Sequence, residues 1–317
     1  MQRDVTIDLM RLVFMYMICM VHAVEYVDSR WAHWLGNICF AGVPGFVLIS
    51  GYYGMRFSWR KALRIEGVGI GCAMTVVALA LMCKACPLGN AAMEVVRLWK
   101  GYWFVHAYVV MMVLAGLGER CEKDEMVRRT MPYIVLVFGW SFLLLIPKIR
   151  HFVPPLPGFV PFSGLTIFAV YLVGRLYRSF DWDAKLKAEW VIPMTVFCGV
   201  MSACYIHPFS HWGAALARYN SPFLLGLALG LFWLFRRMPL RGGVVLNRVL
   251  PVLTPSILSV YLIHCNNYGY QAFARMEAML TEAGVGLYGV FVLVAAAAFA
   301  GGLILDVPRR IVAKICR

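Results

Sequence analysis

Four ionisable side chains, Asp8, Arg11, His22 and Glu25, interrupt a first stretch that is otherwise apolar enough to cross a membrane. Each costs a few kcal/mol inside a bilayer, so each points to function before structure. Arg11 and His22 stand eleven residues apart, which at 100° per residue is close to three full turns. They share one stripe, Arg11, Met15, Ile18, His22, Glu25, and are separated by roughly 16 Å along the axis. His22 and Glu25 lie at i and i+3 and can touch. A carboxylate that accepts one imidazole N–H fixes the tautomer and makes the other nitrogen a base. The pair lacks a Ser or Cys nucleophile on its stripe, so the group His22 can activate is a substrate's own hydroxyl, unless the imidazole itself is the nucleophile. Spacing alone also fits an interfacial histidine beside a wet helix-end carboxylate. Asp8, three residues before Arg11, is its expected ion-pair partner.

Further groups follow. Arg56, Arg60, Lys61 and Arg64 come after Ser50-Gly51-Tyr52-Tyr53. On a helix Arg60 and Arg64 share a face, and Lys61 and Arg64 are neighbours. Such a cluster grips phosphates, holds anionic lipid or fixes topology. Tyr102, Trp103 and His106 open another apolar run, where aromatics commonly anchor at the membrane interface. Tyr219-Asn220-Ser221-Pro222 begins a further run, and Tyr261, His264, Asn266 and Asn267 crowd into one short stretch. Polar groups that dense inside a span face a cavity or another helix.

Composition dictates what must position these groups. Of 317 residues, 62% are hydrophobic and 15% charged, against about 45–50% and 25% in soluble domains. The excess must face lipid, which makes the chain an all-α polytopic membrane protein and excludes fibrous, disordered and small disulfide-rich classes. Ten apolar segments approach the length of a span: 5–26, 34–53, 65–83, 102–118, 131–147, 160–177, 190–207, 221–235, 252–272 and 286–305. The expectation is one bundle and a single integral-membrane domain over residues 1–317.

The net charge is +14. With ten helices and the N-terminus inside, 20 Lys and Arg fall on inner segments and 8 on outer ones. Both termini are therefore expected in the cytoplasm of a cell whose inner membrane holds the protein. No basic run interleaves with aromatics in a soluble segment, so nucleic acid is not an expected partner. Asp8 and Arg11 break what would be the core of a cleavable leader, so the first segment is expected to stay as a helix. Prolines 147, 154, 155, 157 and 161 predict an extended loop over 148–163. Of ten cysteines most lie inside predicted spans. Cys83 and Cys86 form a C-x-x-C without the second pair that zinc would need, leaving a disulfide or two idle thiols and no expected metal.

The chain resembles the membrane-bound acyltransferase 3 family. The resemblance rests on Ile7-Asp8-Leu9-Met10-Arg11 with the Arg-x10-His spacing that ends at His22, and on Val43 to Tyr53 closing in Ser50-Gly51-Tyr52. It continues through Tyr102-Trp103-Phe104, Tyr219-Asn220-Ser221-Pro222, Val260-Tyr261-Leu262-Ile263-His264, and Asp306 ahead of Arg309-Arg310. These motifs stand in the family's order over nearly the whole chain. The resemblance implies a ten-helix acyltransferase of cell-envelope or secreted glycans, with Arg11 and His22 as its essential pair. The family's R-x-x-R after the second helix reads Lys61-Ala62-Leu63-Arg64 here, and Cys265 stands where some relatives carry a carboxylate.

The expected catalytic residues are His22, Glu25 and Arg11. Arg11, Arg60, Lys61 and Arg64 are expected to bind the donor, and Trp103, His106, Asn220 and His264 the acceptor. No cofactor is expected to be permanently bound. The donor is acetyl-CoA or another acyl-CoA, and the acceptor is a glycan or lipid-linked sugar. A carrier or flippase for a lipid-linked sugar or small anion is the alternative, using the same buried Arg, His and Glu as a proton path. The two halves share no repeat of the kind that favours such carriers.

Overall fold

The structure is a computed structural model and describes residues 4–24, 30–118, 123–144, 146, 162–204, 218–238 and 243–315. Among the described residues it is all helical and has no strand. The helices are α1 (Val5–Val24), α2 (Arg30–Cys39), α3 (Gly42–Tyr53), α4 (Trp59–Met82), α5 (Ala91–Gly101), α6 (Trp103–Gly118), α7 (Lys123–Leu144) and α8 (Gly164–Ser179). They continue as α9 (Trp182–Lys185), α10 (Ala188–Ala203), α11 (Pro222–Arg237), α12 (Val244–Leu253), α13 (Ile257–His264), α14 (Asn267–Glu282), α15 (Leu287–Leu305) and α16 (Val307–Ile315). Most of the 148–163 loop lies outside the described residues.

By length and composition five stretches can cross a membrane, Val5–Val24, Trp31–Tyr53, Trp59–Met82, Leu246–His264 and Leu287–Val312. A sixth is counted if Leu88–Gly101 and Trp103–Leu117, bent by 53°, form one span. Among the described residues the count is therefore five or six rather than ten, for identifiable reasons. Helices α8, α10 and α11 have 16 residues each and rise about 24 Å, short of the ~30 Å hydrocarbon core. Lys123, Asp124, Glu125, Arg128 and Arg129 crowd the start of α7. The stretch expected at 252–272 breaks between α13 and α14.

Helix α1 is central. It packs against α2, α3, α11, α12, α13 and α15, and Met10, Phe14 and Cys19 along it are fully buried. The outward faces are apolar in turn: Met82 is 80% exposed and Trp190 73%, which lipid accommodates and water does not. The closest helix pair is α3 on α8. A Cβ on Gly51 would collide with the carbonyl of Tyr171, and one on Gly174 would come within 2.6 Å of the Leu48 carbonyl. Backbones this close need a hydrogen in place of a side chain on both helices.

One end of the bundle, where α1 begins and α3 ends, is tied by Arg236 of α11. Its guanidinium donates to Asp4 (3.1 Å), Asp183 (3.2 Å) and the Tyr52 hydroxyl (3.0 Å), and lies 4.9 Å from the Tyr52 ring centre. Tyr177 donates to the other Asp183 oxygen at 2.7 Å. Charge-assisted bonds of this kind hold the ends of α1, α3, α8, α9 and α11 in register.

Candidate active site

The Arg11 stripe faces a cavity of about 300 Å³. Arg11, Met15 and Ile18 form one wall, and Phe46 and Ser50 of α3 another. Phe104 and Tyr108 of α6, Ile65 of α4 and Ile257 and Tyr261 of α13 complete it. The lining is apolar except near Arg11, where the Tyr108 hydroxyl meets Ser50 Oγ at 3.0 Å. Arg11 Nη1 donates to Asp8 at 3.2 Å, and the Asp8 side chain is only 3% exposed. This is the expected pair, and it orients the guanidinium at the cavity wall.

His22 continues the stripe beyond the cavity. Its ring centre lies 6.4 Å from Tyr261, 5.3 Å from His264 and 5.7 Å from Tyr270. Its Nδ1 is 3.2 Å from the Tyr270 hydroxyl. His264 is buried, and its Nδ1 donates to the Val260 carbonyl at 2.5 Å. A carbonyl only accepts, so Nδ1 carries the proton and Nε2 holds a lone pair. That Nε2 is buried without a hydrogen-bond partner among the described residues. A second cavity, about 450 Å³, adjoins His264 between α4, α14 and α15. The two histidines thus stand between two cavities. Glu25, the expected partner of His22, lies outside the described residues.

Residues 4–307 match the family model described as an acyltransferase domain. The chain belongs to the acyltransferase 3 family. No curated protein and no solved structure matches it. As a member of the acyltransferase 3 family the protein is a membrane acyltransferase.

The residues singled out in the sequence fall into separate groups. Arg11 lines the first cavity, whereas His22 and His264 pair with each other beyond its Tyr261 wall. Arg60, Lys61 and Arg64 are exposed at the start of α4, and Lys61 sits one turn before Ile65, which lines the cavity. Trp103 stacks on Tyr219 at 5.5 Å with 25° between planes, and Phe162 closes the cluster. The next residue, Phe104, reaches Tyr261 at 6.0 Å, so an aromatic path leads from Trp103 to His22. Asn220 is half-buried beside Tyr219 in the turn before α11. His106 turns to α4 instead: Nδ1 meets Glu66 at 3.2 Å and Nε2 the Trp99 carbonyl at 3.0 Å. Trp99 donates to the other Glu66 oxygen at 2.8 Å. His106 therefore braces the bend between α5 and α6.

Sequence reasoning passed over Tyr108, Ile65 and Tyr270. Tyr108 carries a readable signal, since it follows Phe104 by four residues and shares its face. Cys83 is exposed and Cys86 buried, both as free thiols. Among the described residues no group of three or more His, Cys, Asp or Glu is placed to hold a metal.

Proposed function

We propose that this acyltransferase moves an acetyl group from cytoplasmic acetyl-CoA to a hydroxyl of an envelope or exported glycan. The carrying observation is the apolar cavity that begins beside Arg11 and ends at Tyr261, against the His22–His264 pair. An apolar slot with one oriented cation suits an acyl-pantetheine arm, which is long, thin and mostly uncharged. Exposed Arg60, Lys61 and Arg64 at its Ile65 wall suit the CoA phosphates. Arg11, about 16 Å along α1 from His22 and held by Asp8, positions the CoA arm. His22 takes the proton of the acceptor hydroxyl. The acceptor enters past His264, whose buried lone pair accepts a hydroxyl hydrogen bond, while Trp103 and Asn220 supply the stacking and polar contacts that sugars use. The protein sits in the inner membrane with both termini in the cytoplasm, a reading that needs an even number of spans, as six gives and five does not. Reporter fusions at residue 317 are expected to read cytoplasmic, and an external reading would overturn that orientation.

The function is tested by mass spectrometry of envelope glycans from cells with and without the protein, and by release of CoA thiol from acetyl-CoA by the purified chain. Changing Lys61 and Arg64 together to Gln is expected to raise the KM for acetyl-CoA about tenfold or more, since charge-assisted bonds are worth about 1.5–3 kcal/mol each. Turnover at saturating donor should change little. An unaltered KM would reduce the cluster to a topology signal.

A further inference from the structure

Two residues that meet His22, His264 and Tyr270, are six apart in the chain. In an unbroken helix six residues turn through about 600°, which leaves the two side chains roughly 120° apart on the cylinder. They could not both face one imidazole from there. The break between α13 and α14 brings them together, and it is held at both ends by one side chain. Asn266 Oδ1 accepts from the backbone N–H of Tyr268 and Gly269, each at 3.1 Å. Its Nδ2 donates to the carbonyls of Leu262 (3.2 Å) and Ile263 (2.8 Å). The last carbonyls of α13 and the first amides of α14 are thus both satisfied. Gly269 lets the new helix start against the old one, because a Cβ there would strike the His264 carbonyl. The result is His22 Nδ1 at 3.2 Å from Tyr270 Oη, and Tyr270 Oη at 3.4 Å from Cys265 Sγ.

We infer that Tyr270 is the positioning residue that sets the tautomer of His22, with Cys265 orienting the Tyr270 hydroxyl. The inference rests on the base role proposed above for His22. Tyr270 donates its one proton to Cys265 Sγ, and its oxygen accepts His22 Nδ1–H. Nε2 then carries the lone pair that a base needs. As the acceptor hydroxyl attacks the thioester carbon, its proton passes to Nε2. The carbon–sulfur bond breaks, and the proton leaves His22 for the CoA thiolate, so alcohol and acyl-thioester become ester and thiol. Tyr270 keeps its proton throughout. It holds the imidazolium's Nδ1–H during the step, a bond that is stronger when the donor is charged.

The test uses the full-length chain in lipid nanodiscs, with acetyl-CoA as the probe and CoA thiol release as the turnover. Tyr270→Phe is expected to lower kcat about tenfold, the size of one lost hydrogen bond, with the KM for acetyl-CoA unchanged. Cys265→Ser, which still accepts from Tyr270, should keep turnover within about twofold of the parent, whereas Cys265→Ala should lose part of it. The decisive readout is nitrogen NMR of 15N-histidine protein, with the His22 signal assigned by its loss in His22→Ala. It needs no substrate. Neutral His22 should carry its proton on Nδ1 in the parent and shift toward Nε2–H in Tyr270→Phe. A parent protonated on Nε2, or a tautomer and kcat both untouched by Tyr270→Phe while His22→Ala is inactive, would overturn the inference and leave the base in place. Undiminished turnover by His22→Ala would instead sink the base itself.

Discussion

Replacing His22 with Ala is expected to lower acyl transfer by roughly 10²–10⁴, the usual contribution of a positioned general base. Among the described residues His264 is the imidazole in ring contact, 5.3 Å away between centres, and its Nε2 lone pair makes it the one neighbour able to take a proton, so His264→Ala belongs beside His22→Ala. The His22 change also leaves a ring-sized gap among Tyr261, His264 and Tyr270, so His22→Gln, which keeps volume and polarity, is the companion variant. Both should reach the membrane in normal amounts. The measurement is the acyl content of the glycan product per unit of protein, because a transporter would also suffer from losing His22. Near-normal acylation by either variant at normal abundance would end the general-base mechanism. Glu25→Gln belongs in the same series. If Tyr270 rather than Glu25 orients His22, its loss costs far less.

Arg11 is expected to show the second-largest effect, and it must be tested with two substitutions. Arg11→Ala removes both a donor facing the cavity and the partner of Asp8, whose side chain is 3% exposed. Arg11 is itself 39% exposed, so the loss is smaller than for a fully buried pair, about 1–3 kcal/mol for a buried acceptor left without its donor, and both stability and activity should fall. Arg11→Lys keeps the positive charge beside Asp8 and should preserve the protein's melting temperature to within a few degrees. Lysine is a point charge without the planar fork, so its hold on the CoA arm is weaker. A stable Arg11→Lys protein with a KM for acetyl-CoA raised about tenfold or more is the expected outcome, since charge-assisted bonds are worth about 1.5–3 kcal/mol each. A parent-like KM would mean that charge near the cavity suffices and that the guanidinium fork does not hold the donor.

Much of this site is legible before any coordinates are seen. The Arg11, Met15, Ile18 stripe follows from helical periodicity alone, and all three line the first cavity. The Asp8–Arg11 pair follows from its spacing. What periodicity cannot supply is a partner from a distant helix. Tyr270 reaches His22 across 248 positions of sequence, and Glu66 meets His106 across 40. Spacing alone does not announce the Glu66 carboxylate beside His106. Hydropathy has a similar blindness to direction. It sums apolar residues over 252–272 without registering that Asn266 and Gly269 stop one helix and start another. It likewise reads the α8, α10 and α11 segments as spans, although each helix is only 16 residues long.

Helix α10 has a consequence for the bilayer itself. Ile192, Met194, Val196, Phe197 and Val200 on it are all exposed, so this short helix is one that lipid tails must meet. At about 24 Å it does not reach across an average hydrocarbon core, so those tails meet it over part of their depth only.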